Sequence, residues 1–128
     1  MANPSITNAT AVGKEVIRRT YYDGLGNSAV TVLQGVANHI MTIVSIVICE
    51  RADHSDANFF MYIAPDGGTT IYLAVAEHVG GEGTYIWNDK FALTETDALK
   101  MEAWTGPASG AGQLDIWITY IDQQFAAP

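Results

Sequence analysis

The residues of this chain best suited to chemistry form the run Asp53-His54-Ser55-Asp56. Two carboxylates, an imidazole and a hydroxyl at this spacing offer oxygen and nitrogen ligands to a divalent metal ion. A calcium loop, however, needs more oxygen ligands and a distal glutamate. His39 and His78 are far from this run and add no recognised ligand pattern. We therefore interpret the run as a solvated loop and expect no metal site.

Glu95 and Asp97 form a second candidate pair, because two nearby carboxylates act as acid and base in glycosidases. They lie in a tight turn at 94–97, where threonine and aspartate side chains commonly bond to the backbone instead. The segment Gly80-Gly81-Glu82-Gly83 is rich in glycine, but no lysine follows it as in a phosphate-binding loop. Cys49 lies within an apolar run, as a small buried hydrophobic residue does. We predict no catalytic residue, no cofactor and no enzymatic activity.

Charge and hydropathy restrict the partners. Six basic against fourteen acidic residues give the 128-residue chain a formal net charge of −8. Nucleic-acid binding needs clustered Lys and Arg, so we expect no nucleic-acid partner. The longest apolar run has about ten residues, fewer than the ~20 that span a bilayer, and the first residues do not resemble a signal peptide. We expect a soluble protein made in a host cytoplasm, with no membrane partner.

Short alternating segments separated by turn residues cover most of the chain. Asp23-Gly24-Leu25-Gly26-Asn27 and Pro65-Asp66-Gly67-Gly68 are the strongest turn signals. Between the turns the sequence predicts about eight strands, one of them at 84–93, and no segment has a helical period. The fold class is therefore all-β, an antiparallel sandwich or barrel. We expect a single domain at 14–128, preceded by a flexible N-terminal arm at 1–13.

The run at 40–49 is apolar on both faces of the strand that it predicts. Strict alternation places two sets of side chains on opposite faces. One face carries Ile40, Val44, Ile46 and Ile48, and the other carries Met41, Ile43, Val47 and Cys49. In an antiparallel sandwich one face normally meets solvent. A second apolar face needs cover, and a neighbouring subunit is a good candidate in a chain this small.

Two later segments also place apolar side chains opposite a predicted core face. Trp117 and Ile121 do so at 114–121, and Trp104 does so at the end of 98–104. Exposed aromatic and aliphatic clusters mark contact surfaces. The suspected interface therefore comprises Met41, Ile43, Val47, Trp104, Trp117 and Ile121. We expect the chain to form a homo-oligomer, for which a trimer is one candidate.

Several segments together resemble the small jelly-roll-like structural proteins of tailed-bacteriophage virions. The matching parts are a strand and short connection at 30–38, the apolar strand at 40–49, the polar loop at 51–58, a strand, acidic turn and new strand at 91–101, and a β-rich ending at 114–121. The resemblance implies an antiparallel, jelly-roll-like β-sandwich located in the virion. It also implies a non-enzymatic role, as a capsid decoration (cement) protein that self-associates and binds the major capsid protein or another virion protein. A neck or tail accessory subunit is the alternative within this group.

A carbohydrate-binding β-sandwich module is the alternative from another class. It would stack sugar rings on aromatic side chains, for which the candidates are Tyr62, Tyr72, Tyr85, Trp87, Trp104 and Trp117. Such a site needs two or three coplanar rings on one exposed face, whereas a protein interface mixes rings with aliphatic residues. The aliphatic residues at 40–49 and 114–121 favour the interface. A hydrolase that uses scattered carboxylates is a weaker, third alternative.

Overall fold

The computed structural model describes residues 15–51, 57–65, 68–79, 83–104 and 114–125, without the side chain of Trp104. Within these ranges the chain forms nine strands, β1 Glu15–Leu25, β2 Val30–Gln34, β3 His39–Glu50, β4 Asn58–Pro65, β5 Ile71–His78, β6 Thr84–Trp87, β7 Phe91–Leu93, β8 Asp97–Trp104 and β9 Leu114–Gln124. The predicted all-β class is confirmed.

The strands form two antiparallel sheets. The first sheet has the order β1-β9-β3-β6, with β7 also paired to β3, and the second has the order β2-β8-β4-β5. The pairs are nested along the chain: β1 with β9, β2 with β8, β3 with β6 and β7, and β4 with β5. A long hairpin rolled up in this way is a jelly roll, here with one five-stranded and one four-stranded sheet. The predicted jelly-roll-like β-sandwich is therefore confirmed.

The core lies between the two sheets and is built from alternate residues of the central strands. Fully buried side chains come from the first sheet (Ile43, Ile46, Ile118) and from the second (Phe59, Met61, Leu99). Burial of each such side chain contributes roughly 1.5–3 kcal/mol of transfer free energy. The inner faces thus hold the sandwich together, and the outer faces are left to meet solvent or other molecules.

A β-bulge in β3 changes which side chains face the core. The register with β9 shifts between Ile43 and Ser45, so Val44 is the extra residue and the alternation is reversed beyond it. Met41 and Ile43 precede the bulge and are only 4% and 0% exposed. The prediction that they share an outer face with Val47 is therefore wrong. The second sheet of the same chain covers them.

The predicted strand at 84–93 is divided into β6 and β7, which raises the number of strands from about eight to nine. Both pieces pair with β3, and residues 88–90 leave the ladder between them. The indole Nε1 of Trp87 donates a hydrogen bond of 2.8 Å to the backbone oxygen of Asp89. This bond stabilises the chain where it leaves the sheet.

Several predictions concern residues outside the described ranges. They are the arm at 1–13, the polar run at 53–56, most of the glycine-rich segment at 80–83 and part of the hairpin turn at 65–68. The arm and the domain boundary at residue 14 therefore stay predictions.

Candidate functional site

Four apolar side chains cross the outer face of the first sheet in one row. The register places Tyr21 opposite Trp117, Trp117 opposite Val47, and Val47 opposite Ile86. Residues directly opposite each other lie on the same face and in contact range. Tyr21, Trp117 and Ile86 are 58%, 46% and 55% exposed, whereas Val47 is half-buried. We call these four residues the central row.

Ring and cation contacts order the aromatic end of the central row. The rings of Tyr21 and Trp117 are stacked, with centroids 5.9 Å apart and planes 15° from parallel. The guanidinium carbon of Arg19 lies 5.4 Å from the Tyr21 centroid and 5.2 Å from the Trp117 centroid. Aromatic pairs and exposed cation–π contacts each contribute roughly 0.5–1.5 kcal/mol. These rings are therefore positioned on the surface before any partner binds.

The face continues beyond the central row toward the start of β1. Arg19, Thr119 and Ser45 lie opposite one another in the next row. Ile17 and Ile121 are opposite each other in the row after that. Ile17 is 75% exposed and Ile121 is half-buried. The outer face thus alternates between an apolar row, a polar row and a second apolar pair.

An ionic cluster borders the central row on its other side. Arg51 Nη1 lies 2.8 Å from Oδ1 of Asp23 and 3.5 Å from Oδ1 of Asp115. Asp115 also accepts a hydrogen bond of 2.9 Å from the backbone nitrogen of Gly24. A depression of about 340 Å³ is lined by these two aspartates and by Tyr21, among other residues. The side chain of Asp23 is 74% exposed, so its carboxylate can meet a charge from outside.

The edges of the two sheets are poorly suited to pairing with a strand of another molecule. β2 has only five residues, and the β6–β7 edge is interrupted. β5 carries two register shifts against β4. On β1, Arg18 points inward and bonds to Asp122. Short, bulged and inwardly charged edges are ways in which proteins limit strand addition.

The Arg18–Asp122 pair belongs to a polar cluster that joins three strands at one end of the first sheet. Asp122 is 6% exposed and accepts a hydrogen bond of 2.8 Å from Arg18 Nε. His39 Nδ1, on β3, lies 2.6 Å from the other carboxylate oxygen. Removal of one partner from a buried ionic group is strongly destabilising. We assign this cluster a structural role.

The structure brings together part of the predicted interface. Val47 and Trp117 are neighbours in the central row, and Ile121 lies on the same face. Met41 and Ile43 are in the core, as described above. Trp104 is on the second sheet, where its backbone lies opposite Asn58, and its side chain is outside the described part of the chain.

Sequence reasoning missed the contribution of β1 and β6 to this face. Tyr21, Arg19 and Ile17 alternate along β1, a period of two that is visible in the sequence. Their position beside Trp117 follows only from the pairing of the first and last strands. Ile86 was not predicted as a surface residue, because the aromatic neighbours Tyr85 and Trp87 indicate the opposite face of the strand.

The aromatic side chains proposed for sugar binding do not form one flat platform in the described residues. Tyr62 and Tyr72, on the outer face of the second sheet, have centroids 5.2 Å apart and planes 50° from parallel. Tyr85 and Trp87 pack against the core, and Tyr85 makes an edge contact with Phe59. Trp117 lies on the other sheet, stacked on its own neighbour.

Among the candidate chemical residues, Asp97 bonds within its own turn. The Asp97 carboxylate accepts hydrogen bonds from the backbone nitrogen and the hydroxyl of Thr94, at 2.8 and 3.2 Å. Cys49 is a half-buried free thiol on β3. Within the described ranges, no three His, Cys, Asp or Glu side chains form a group that could hold a metal ion. The described part of the chain contains no helix that is long and apolar enough to cross a membrane.

No protein-family model matches this chain, and neither does any curated protein. Solved structures with some similarity include a capsid structure of Helicobacter pylori bacteriophage KHP30, with TM-score 0.49, 5% identity and 91% of each chain covered. A pentameric capsid protein from metagenomic phage sequences has TM-score 0.40 and 17% identity over 84% of this chain, which spans 62% of that protein's length. Turnip yellow mosaic virus has TM-score 0.44 and 8% identity, with 97% and 84% covered. Similarities of this size add nothing to the jelly-roll topology established by the strand pairing.

Proposed function

We propose that this protein is a non-enzymatic structural subunit of a virus particle, which binds other protein subunits through the outer face of its first sheet. Within that role we propose a capsid decoration (cement) protein that self-associates. The observation that carries the proposal is the central row, a band of apolar and aromatic side chains across four strands. Tyr21, Trp117 and Ile86 are exposed there, although the same chain has a complete core.

Burial of this face would supply enough free energy for a specific contact. At ~25 cal/mol per Å² of apolar area, a patch of a few hundred Å² contributes several kcal/mol before the costs of association. Symmetric repetition of one contact over a particle multiplies that gain. The composition fits the same role, because only 16% of the residues are charged and a surface that is covered needs few charges.

The assignment to a virus particle is supported by two arguments, and a position on the outside of the shell by a third. The segments at 30–58, 91–101 and 114–121 resemble small virion proteins, as set out above. The jelly roll is an architecture that viral capsid domains use, which is an analogy at the level of the fold. A net charge of −8 without a basic cluster suits the outside of a shell better than contact with packaged nucleic acid. A neck or tail subunit would use the same face in the same way.

The test is the mass of the purified protein in solution, measured by light scattering over a micromolar concentration series. We expect a stable oligomer or a reversible rise in mass with concentration, and ordered assemblies by electron microscopy. A monomer at every concentration would overturn the proposal, and binding to an array of glycans would then favour a carbohydrate-binding module.

A further inference from the structure

We infer that the outer face of the first sheet binds the same face of a second copy, across a two-fold axis that runs along the central row. This inference rests on the proposed function and specifies its first contact. It commits to one partner, an identical chain turned over so that the two faces meet and corresponding strands run in opposite directions.

The distribution of charge on β1 selects this arrangement. Arg19 precedes Tyr21 by two residues and Asp23 follows it by two, so opposite charges flank the central row on one strand. At ~3.4 Å per residue, each lies roughly 7 Å from the row. Rotation about the row exchanges the two sides, which places Arg19 of one copy opposite Asp23 of the other. Two such charge pairs form in the dimer, because each copy supplies both an Arg19 and an Asp23.

The alternative two-fold axis, parallel to the strands, does not pair these charges. It would place β1 of one copy over β6 of the other, so that Tyr21 meets Ile86 and Asp23 meets the region of Thr84. Arg19 would then face the level of residues 88–90, where Asp89 and Lys90 offset each other, and Asp23 would face no basic residue of the described strands. Complementary charge fixes the register of interfaces and excludes wrong partners, so the axis along the row is the one that this face specifies.

The size of the face is adequate for such a contact. Strands β1, β3 and β9, with eleven or twelve residues each, and the shorter β6 and β7 give a face of roughly 700 Å² at ~4.8 Å spacing and ~3.4 Å rise per residue. A standard stable interface buries about 800 Å² on each partner. Two sheets packed with aligned strands are a common arrangement of β-structure. The short, bulged and interrupted edges described above leave this face as the larger contact surface within the described ranges.

The experiment is a charge exchange at the two flanking positions, followed by sedimentation equilibrium. Arg19→Glu and Asp23→Arg each place like charges opposite one another, and we expect each to weaken dimerisation by about 10-fold or more. The double variant restores both pairs and is expected to dimerise within about 3-fold of the wild type. An equimolar mixture of the two single variants is expected to form the mixed dimer, in which both pairs are again opposite in charge.

A control separates the pairing from general effects of charge. Glu95→Arg changes the net charge as Asp23→Arg does, but lies in an exposed turn away from this face, and is expected to dimerise as the wild type does. The Arg51–Asp23 contact inside one chain is lost in Asp23→Arg and in the double variant alike, so recovery from the former to the latter reports on the contact between chains. Single variants that weaken association without recovery in the double variant or the mixture would overturn this inference and leave the proposed function standing. A wild-type protein that never associates would overturn both.

Discussion

The two sheets expose apolar side chains in different ways. On the first sheet the exposed residues are spread over three strands, and they are Ile17, Tyr21, Trp117 and Ile86. Among the described side chains of the second sheet they belong to one edge strand, β5, and they are Ile71, Tyr72 and Val75. A band across a sheet is a surface onto which a flat partner can pack, whereas a strip along a bulged edge is narrow. The comparison shows that the number of exposed apolar residues matters less than their arrangement.

The outer face of the second sheet is covered in part by its own side chains. Tyr62 packs on Tyr72 and lies opposite Lys100, while Phe60 lies opposite Glu102. Long charged side chains can lay their apolar stems over neighbouring rings and keep their charges in water. Among the described residues of the first sheet, Arg19 lies over two rings in this way. We therefore expect the two faces to respond differently to substitution.

The largest difference is expected for a charge placed in the middle of each face. Trp117→Glu should weaken association by about 100-fold or more, because aromatic residues at the centre of an interface carry most of its binding energy. Tyr72→Glu, a matched change on the second sheet, should alter association by less than about 3-fold. Sedimentation equilibrium of both variants beside the wild type measures the contrast.

Thermal unfolding provides the control for this pair. Both side chains are about half exposed, and loss of the Tyr21–Trp117 stack should cost roughly 0.5–1.5 kcal/mol of stability, so both variants are expected to stay folded. Equal loss of association in the two variants would contradict the prediction that the protein associates through the outer face of the first sheet and not through that of the second.

The second prediction concerns the edge strand β5. Its register against β4 shifts twice, and Ala76 is part of the shift between Phe59 and Met61. Deletion of Ala76 would let Val75 and Glu77 pair in regular register with β4 and would straighten an edge with exposed apolar residues. We expect the deletion variant to aggregate at roughly tenfold lower concentration than the wild type, because regular apolar edges recruit further strands. Static light scattering during concentration measures this.

A deletion variant that stays as dispersed as the wild type would contradict the view that the bulge protects the edge. Association through the first face is distinguished from this effect by a second variant, Trp117→Glu combined with the deletion. That variant should still aggregate, since the new contact is on the other sheet.

Strand pattern and turn residues were sufficient to predict the fold class. Alternation and glycine-rich turns predicted the sandwich, and the resemblance supplied the jelly-roll arrangement. The sequence does not reveal the bulge in β3, because the residues on both sides of it are apolar and fit either phase of the alternation. Val44 is such a residue, and it reversed the expected faces of Met41 and Ile43. On β5, which also carries register shifts, Val75 is 63% exposed and Ala74 is 7% exposed.

The candidate surface was predictable only in part. Trp117 and Val47 are in the predicted set because each is an apolar residue opposite an obvious core face. Tyr21 and Ile86 join them through pairing between strands that are distant in sequence, which local pattern does not specify. Arg19 could not be assigned a role, since a cation over two rings depends on the same pairing.

The third prediction tests whether the second face is covered by its own side chains. Burial raises the pKa of Tyr62 above its ordinary value of 10.0, and Glu102 and then Tyr72 add to the increase. The folded chain therefore holds this proton more tightly than the unfolded chain does. The resulting stability is present below pH 10.0 and is lost as the pH rises through the folded pKa. Ultraviolet titration of tyrosinate in the wild type, minus that of Tyr62→Phe, should give a midpoint above the ordinary value.

The same variant gives a second readout. Stability measured by denaturant unfolding should fall less steeply with alkaline pH in Tyr62→Phe than in the wild type. If Tyr62 instead titrates at its ordinary value, the second face is open to water, and the contrast between the two faces is smaller than proposed.

The smallest effect is expected from relief of backbone strain within the protective bulge. Ala76 has a φ of 51°, in the left-handed region that costs a residue with a Cβ about 1–2 kcal/mol. Ala76→Gly removes this cost but adds about 0.5–1 kcal/mol of chain entropy, so we expect a net gain of up to about 1 kcal/mol in denaturant unfolding. Asn38 has a φ of 65°, but asparagine tolerates this region, so Asn38→Gly should give no gain. Equal gains at both positions would show that strain at Ala76 is not the cause. Because Ala76→Gly keeps the extra residue, it should stabilise the fold without exposing a regular edge, and it separates the strain of the bulge from its protective effect.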